Sequence, residues 1–228
     1  MNDNILIRIE DVSRIFPVPG GEFAALKKIN ATICRGSFTI LKGRSGSGKT
    51  TLMNIVSGLD EPSEGRVFIE DYEITGLSER ERENLRRKDF GFVFQTVSLI
   101  PSLNAYQNVE FSMRLAGYKI DANTQKRVRE CLKMVGLGNR MSHMPSELSG
   151  GEQQRVAIAR AIAHHPNVIF ADEPTAELDS AMAVKVTELF KTMAEKEKIT
   201  VLMTTHDVGL MDAADSIIEL ENGERIYV

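Results

Sequence analysis

Gly43-Arg44-Ser45-Gly46-Ser47-Gly48-Lys49-Thr50 is the stretch whose reading decides the fold. It satisfies the phosphate-loop pattern G-x-x-x-x-G-K-[ST] at every fixed position. An apolar run, Phe38-Thr39-Ile40-Leu41, precedes it, and Thr51-Leu52-Met53-Asn54-Ile55-Val56 continues from it as a helix. That strand–loop–helix setting lets successive backbone N–H groups curl toward phosphate oxygens, with the positive end of the helix dipole behind them. Lys49 is expected to reach the β- and γ-phosphates, and the Thr50 hydroxyl to ligate Mg²⁺. Kinases, GTPases, helicases and transport motors share such a loop, so it sets the chemistry and leaves the task open.

Working outward, short β segments are expected at Ile5 to Glu10, Ala31 to Arg35 and Phe38 to Leu41, separated by Pro17-Val18-Pro19-Gly20-Gly21 and Arg35-Gly36. Arg66 to Glu70 reads as a further strand. Ser78 to Lys88 reads as a charged helix whose Arg86-Arg87-Lys88 is either a solvated end or a docking patch. From about Val97 to His165 the pattern is helical. Val128, Leu132 and Val135 sit at helical spacing, and Ser149 to His164 forms a second helix ended by Pro166. Buried-strand patterns return at Val168 to Ala171 and Thr200 to Thr204, with a helix expected over Glu177 to Lys198. Strands alternating with helices imply a parallel sheet, into which the helical stretch reads as an insertion.

Composition narrows the setting. The 228 residues are 42% hydrophobic and 26% charged, with a net charge of −4. There is no basic surplus of the kind nucleic-acid binding needs. No apolar run approaches the ~18 residues of a membrane span, and Asn2-Asp3-Asn4 before Ile5-Leu6-Ile7 is no secretory signal. A cytoplasmic location is expected, with any membrane attachment through a partner. Cys34 and Cys131 read as reduced thiols. His143, His164 and His165 read as surface or helix-end residues.

Two further constellations carry chemistry. Val168-Ile169-Phe170-Ala171 runs into Asp172-Glu173, so a buried strand ends in paired carboxylates. Asp172 is placed to hold Mg²⁺, and Glu173 to orient or deprotonate a water that attacks the γ-phosphate. Leu148-Ser149-Gly150-Gly151-Glu152-Gln153-Gln154-Arg155 puts a Ser N-cap and two glycines at a helix start, a second anion-binding end on the same chain. One chain needs only one such end per γ-phosphate. A head-to-tail dimer uses both.

With these motifs together, nearly the whole chain resembles the ATP-binding-cassette (ABC) ATPases. Leu148 to Glu152 is similar to the signature LSGGQ, with Glu152 in the last place and its Ser149, Gly150 and Gly151 contacts expected to be unaltered. Gln95, in Gly91-Phe92-Val93-Phe94-Gln95, resembles the Q-loop glutamine that senses Mg²⁺ and the attacking water. Ala176-Glu177-Leu178-Asp179 resembles the D-loop, and His206 the switch histidine. Phe16 stands where the family places an aromatic against adenine. The resemblance implies ATP and Mg²⁺ as cofactors. Gly43, Arg44, Ser45, Gly46, Ser47, Gly48, Lys49, Thr50 and Thr51 would cradle the phosphates, with Thr50, Gln95 and Asp172 at the metal. Lys49, Gln95, Glu173 and His206 would act in catalysis, and Ser149, Gly150, Gly151, Glu152 and Asp179 would serve the composite site.

It further implies an α/β phosphate-loop NTPase fold with a mostly parallel sheet, an N-terminal antiparallel β subdomain and an inserted α-helical subdomain. Residues 1–94 and 166–228 would form the RecA-like core, and about 95–165 the helical part. Ala25 to Ile29, Leu52 to Asp60, Gly91 to Gln95 and Phe170 to Thr175 together resemble the LolD/MacB-type group of lipoprotein-release and macrolide- or peptide-efflux ATPases. The expected function is an ATPase subunit that closes as an ATP-dependent homodimer. It would drive efflux, extrusion or mechanotransmission through a separate permease docked near Gln95 to Tyr106. The chain ends at Val228 soon after an expected final strand, which is why a separate permease is expected. Regulation of an extracytoplasmic activity in the manner of FtsE is the alternative, followed by a soluble cassette acting on DNA or ribosomes.

Overall fold

Hydrophobic alternation at the N-terminus builds two long strands rather than short pieces. The structure, a computed structural model, describes residues 4–227. Strands β1 (Ile5–Val18) and β2 (Gly21–Cys34) are 14 residues each and pair antiparallel, so the turn at Pro19 and Gly20 joins them tip to tip. The expected break after Glu10 is instead a bulge. Asp11 adopts φ 47°, and the register shifts between Ile9 and Val12. Side chains of Asp11 and Asn30 bond across it, Nδ2 to Oδ1 at 2.8 Å. Each bulge inserts an unpaired residue and flips the inside–outside phase, which disguises one strand as two in the sequence. With β4 (Glu64–Ile69) and β5 (Tyr72–Glu73) these strands form a sheet in the order β2-β1-β4-β5.

The second sheet carries the site. Its order is β10-β9-β3-β8-β7-β6, formed by β3 (Phe38–Lys42), β6 (Phe90–Val93), β7 (Val168–Asp172), β8 (Thr200–Thr205), β9 (Ser216–Glu221) and β10 (Glu224–Ile226). β9, β3, β8, β7 and β6 run parallel, and β10 alone is antiparallel. β3, β7 and β8 are almost wholly buried, which explains their unbroken apolar runs. Parallel register brings the C-terminal ends of these strands to one edge, where ligands bind in such sheets.

The helices are α1 (Lys49–Val56), α2 (Glu79–Asp89), α3 (Ala105–Leu115), α4 (Ala122–Met134), α5 (Gly150–Ile162) and α6 (Ser180–Thr192). Caps set most of the starts. Ser78 and Glu81 form a capping box for α2, Asn104 and Gln107 one for α3, and Asp121 accepts from the Thr124 N–H of α4. The long helix expected over Glu177 to Lys198 is shorter. Asp179 caps α6 by accepting from Met182 N–H at 2.9 Å, and a π turn, Met193–Glu197, ends it at Lys198 with φ 58°.

α3, α4 and α5 lie between β6 and β7 in the chain and pack on one another. Their apolar cluster is continuous with the sheet. Val128, Leu132, Val156 and Ile158 belong to the same buried set as Phe38, Ile40, Val201 and Phe190. Gly91 of β6 allows α5 to lie directly on the strand, since a Cβ there would stand 2.3 Å from the Ala161 carbonyl oxygen. Cys131 is buried in this set, which pushes its thiol up to about 11. Among the described residues no helix is long and apolar enough to cross a membrane.

Of the two readings of His164, surface or helix end, the structure keeps the second and overturns the first. His164 is buried at the end of α5, and its Nε2 donates to the Phe90 carbonyl at 3.0 Å. Burial holds its imidazole below the ordinary value, outweighing the Phe90 hydrogen bond, with His165 adding to the effect. The unfolded chain therefore takes up this proton first on acidification, and the stability present above pH 6.5 is lost as the pH falls toward the depressed native value. Urea titrations at about pH 7.5 and pH 5.5 should show a smaller pH-dependent loss for His164→Gln than for the parent chain. An unchanged loss would remove His164 as its source.

Candidate active site

The loop after β3 is shaped by its glycines. Gly48 caps α1 with φ 102°, and a Cβ there would meet the Ala25 carbonyl oxygen at 2.7 Å and Leu26 Cδ2 at 2.8 Å. α1 begins at Lys49, so the loop flows into the helix with no side chain at the cap. The Lys49 ammonium is bent over the loop and donates to the carbonyls of Gly43 (2.8 Å) and Arg44 (3.0 Å). A cleft of about 680 Å³ opens here, lined by Arg44, Ser45, Gly46, Gly48, Lys49, Thr50 and Thr51 on one side and Gln95, Glu173 and His206 on the other.

Asp172 is the hub of the polar side. Its Oδ2 accepts from the Thr50 hydroxyl at 3.0 Å, and its Oδ1 from the Thr204 hydroxyl at 2.6 Å. The Thr204 oxygen in turn accepts from Glu173 N–H at 2.8 Å. Asp172 and Thr204 face each other in the β7–β8 register, which makes the contact a product of sheet pairing. Thr204 is fully buried, and its place between the two carboxylates is one that sequence reasoning missed. The available signal was a hydroxyl-bearing residue, adjacent to Thr205, at the end of an otherwise apolar strand. Glu173 leaves β7 with φ 44°, a left-handed conformation that costs a non-glycine residue about 1 kcal/mol or more. The turn aims its carboxylate at His206, whose Nδ1 lies 3.3 Å from Glu173 Oε2. His206 is 71% exposed against 20% for Glu173, so the histidine is the freer partner.

Other expected residues lie elsewhere. Phe16 is not on the cleft wall. It faces Phe23 across the β1–β2 hairpin, and the Arg14 guanidinium stands over its ring at 4.6 Å. Phe23, 54% exposed, is the aromatic that lines the cleft, along with Ala25. Gly43 and Ser47 support the loop from behind: Ser47 is buried, and its carbonyl accepts from Gly223 N–H at 3.2 Å. Asp179 is occupied as the cap of α6. Ser149 caps α5 outside the cleft, flanked by Gly150 and Gly151.

Glu152 folds back onto Ser149 within the chain. Its Oε2 accepts from both the Ser149 N–H (2.9 Å) and the Ser149 hydroxyl (3.1 Å), and Arg140 Nε donates to its Oε1 at 3.2 Å. The Ser149 N–H bond first, then the Ser149 hydroxyl and Arg140, hold this carboxyl below its usual range, outweighing the desolvation that opposes them. The segment after Glu173 rests on the same helix start, since a Cβ on Gly151 would lie 3.2 Å from the Glu177 carbonyl oxygen.

A phosphate cradle at the edge of a parallel sheet, faced by an Asp–Glu pair and a histidine, defines a nucleotide-hydrolysing cassette. A family profile described as ABC transporter matches residues 26–176, and the chain belongs to that family as one of its ATP-binding cassette ATPases. It is 44% identical to the uncharacterised ABC transporter ATP-binding protein MJ1508 of Methanocaldococcus jannaschii, over 98% of this chain and 99% of that one. It is 42% identical to the macrolide export ATP-binding/permease protein MacB of Bartonella henselae, covering 98% of this chain but 34% of that longer protein. In structure it is similar to the ATP-binding cassette MJ0796 in a dimeric post-hydrolysis state bound to ADP and Pi, with TM-score 0.92, 39% identity and 97% of each chain covered.

Thr204→Val keeps shape but strips Asp172 and Glu173 N–H of a partner. It should destabilise the chain by about 1–3 kcal/mol and lower ATP hydrolysis about tenfold or more, read by urea unfolding and phosphate release. Parent-like hydrolysis would show that Thr204 does not support the site.

Proposed function

We propose that this chain is the ATPase subunit of a membrane ABC complex, and that two copies close head to tail on ATP and Mg²⁺ to drive a separate permease. The observation that carries this reading is the connected path from Thr50 through Asp172 and Thr204 to Glu173 and His206, directly across from the Lys49 loop. The donor set suits Mg²⁺. Thr50 and Asp172 offer two hard oxygens already in contact, and Gln95 lines the same cleft as Thr50, an all-oxygen donor set of the kind Mg²⁺ takes. Held by Thr50 and Asp172, such an ion would supply positive charge against that of the phosphates.

The chain's own residues do the rest. Lys49 exchanges its two loop carbonyls for phosphate oxygens, so the loop is held in shape until the nucleotide arrives. Gln95 orients the attacking water, Glu173 accepts its proton, and His206 lies against the γ-phosphate. Adenine sits at the Phe16–Phe23 edge of the β1–β2 hairpin, where a flat face suffices. Ser149 and the Gly150 and Gly151 N–H groups complete the site of the opposite copy, with Asp179 holding α6 at the shared face.

A groove of about 520 Å³ beside Gln95 suits the permease. Phe92, Phe94, Ile100, Phe111 and Leu115 form its apolar wall, with Arg87 and Arg160 among the polar residues around it. Leu99 packs inward against the helical core, while Ile100 faces the groove. The exposed rings of Phe94 and Phe111 are surface that a cytoplasmic helix of the permease covers. Docking there places the chain peripherally on the cytoplasmic face of the membrane. Efflux, extrusion or mechanotransmission is the work delivered.

Two measurements test these roles. Glu173→Gln should bind ATP but hydrolyse it at least about 100-fold more slowly, accumulating an ATP-dependent dimer on size exclusion; hydrolysis at the parent rate would refute the role of Glu173. Phe111→Asp should abolish recovery of a permease from detergent-solubilised membranes while the isolated cassette still hydrolyses ATP. Undiminished recovery would place the docking surface elsewhere.

A further inference from the structure

The start of α5 holds a charge that its role does not call for. Its N-terminal N–H groups favour an anion, and Glu152 supplies one from within the chain, two residues past Gly150. As a cap the carboxylate is well used. As a fixed negative charge at a surface meant for another copy's phosphate, it opposes the approach through a distance at which solvent screens little.

Arg140 answers that charge. It lies in the turn after α4 and reaches 12 residues along the chain to place Nε 3.2 Å from Glu152 Oε1. Its Nη1 stands 3.1 Å from His143 Nε2. The turn is anchored rather than loose. His143 N–H donates to the Arg140 carbonyl at 3.0 Å, while the His143 and Met141 carbonyls accept from Ala105 and Tyr106 N–H, both at 2.9 Å. The guanidinium is thus presented from a backbone pinned to the start of α3. With Arg140 half exposed and Glu152 largely covered, such a pair contributes little to stability, so its value lies in where the charge is held.

We propose that Arg140 is a positioning residue for the composite ATP site: it neutralises Glu152 and holds that carboxylate back on Ser149, so that α5 presents a charge-balanced start with free Gly150 and Gly151 N–H groups to the γ-phosphate carried by a second copy. The inference rests on the head-to-tail reading above. Without Arg140 the carboxylate keeps its full charge and loses the contact that draws one of its oxygens away from the incoming phosphate. With glutamine at position 152 there is no charge to neutralise, and the need for Arg140 disappears.

The full chain tests this directly. ATP hydrolysis is measured against ATP concentration for the parent, R140A, R140K, E152Q and the double variant R140A/E152Q. ATP-driven dimer formation is followed in the E173Q background, and binding of a fluorescent ATP analogue to the monomer serves as a check on the phosphate loop. R140A is expected to lower hydrolysis about tenfold and weaken ATP-driven dimerisation by a similar factor, with monomer binding unchanged and R140K retaining most of the activity. In the E152Q background the same R140A change is expected to cost less than about twofold. Parent-like R140A, or an equal R140A loss with and without E152Q, overturns the proposal, the latter by revealing a packing role. Ser149→Phe separates the two levels of the argument. If it leaves ATP-driven dimerisation intact, the head-to-tail reading itself fails. If it abolishes the dimer while R140A and E152Q show no coupling, only the assignment of Arg140 fails.

Discussion

Asp172 is the constraint on which the rest of the site depends. Each of its oxygens receives a hydroxyl from a different part of the fold, Thr50 at the start of α1 and Thr204 at the end of β8. Three elements that leave the parallel sheet at one edge are thereby tied through one carboxylate. A half-buried carboxylate left without these donors would be costly, so the hydroxyls stabilise its position as well as its charge. Glu173 inherits its placement from this arrangement, because the Thr204 oxygen that serves Asp172 also receives the Glu173 N–H. The left-handed turn at Glu173 is then held from both sides, by strand pairing before it and by the contact with His206 after it.

The same sheet edge communicates with two surfaces. Phe90, Phe92, Phe94 and Phe170 form a run of aromatic contacts, Phe92 stacking on Phe94 at 5.6 Å and on Phe170 at 5.8 Å. It leads from the core beneath β7 to the exposed groove beside Gln95. On the other flank, the segment following Glu173 rests on the glycines that start α5. Because α3, α4 and α5 share one continuous apolar cluster with the sheet, displacement at either surface is resisted by close packing rather than absorbed in a loose joint.

Legibility in the sequence followed locality. The phosphate loop, the Asp172-Glu173 pair and the Ser149 cap could all be read because their chemistry is built from neighbours in the chain. The buried strands β3, β7 and β8 were legible as apolar runs, and α5 as a capped helix. Where the reading differed, a non-local effect intervened. Bulges at Asp11 and Lys28 hid the length of β1 and β2. The cap at Asp179 and the π turn shortened α6. His164 stands at the helix end but is buried there against a carbonyl of β6.

The sequence by itself determined that this chain binds nucleotide phosphate and carries a second helix start capped by serine and flanked by glycines, because few-residue spacings control backbone N–H groups through covalent geometry alone. Only the tertiary structure decided which side chains meet. Thr50 reaches Asp172 across 122 positions, Phe23 rather than Phe16 lines the cleft, Thr204 braces both carboxylates, and Arg140 reaches Glu152. Those meetings are set by sheet register and by the burial of apolar faces, which act between segments far apart in the chain. No local pattern encodes them.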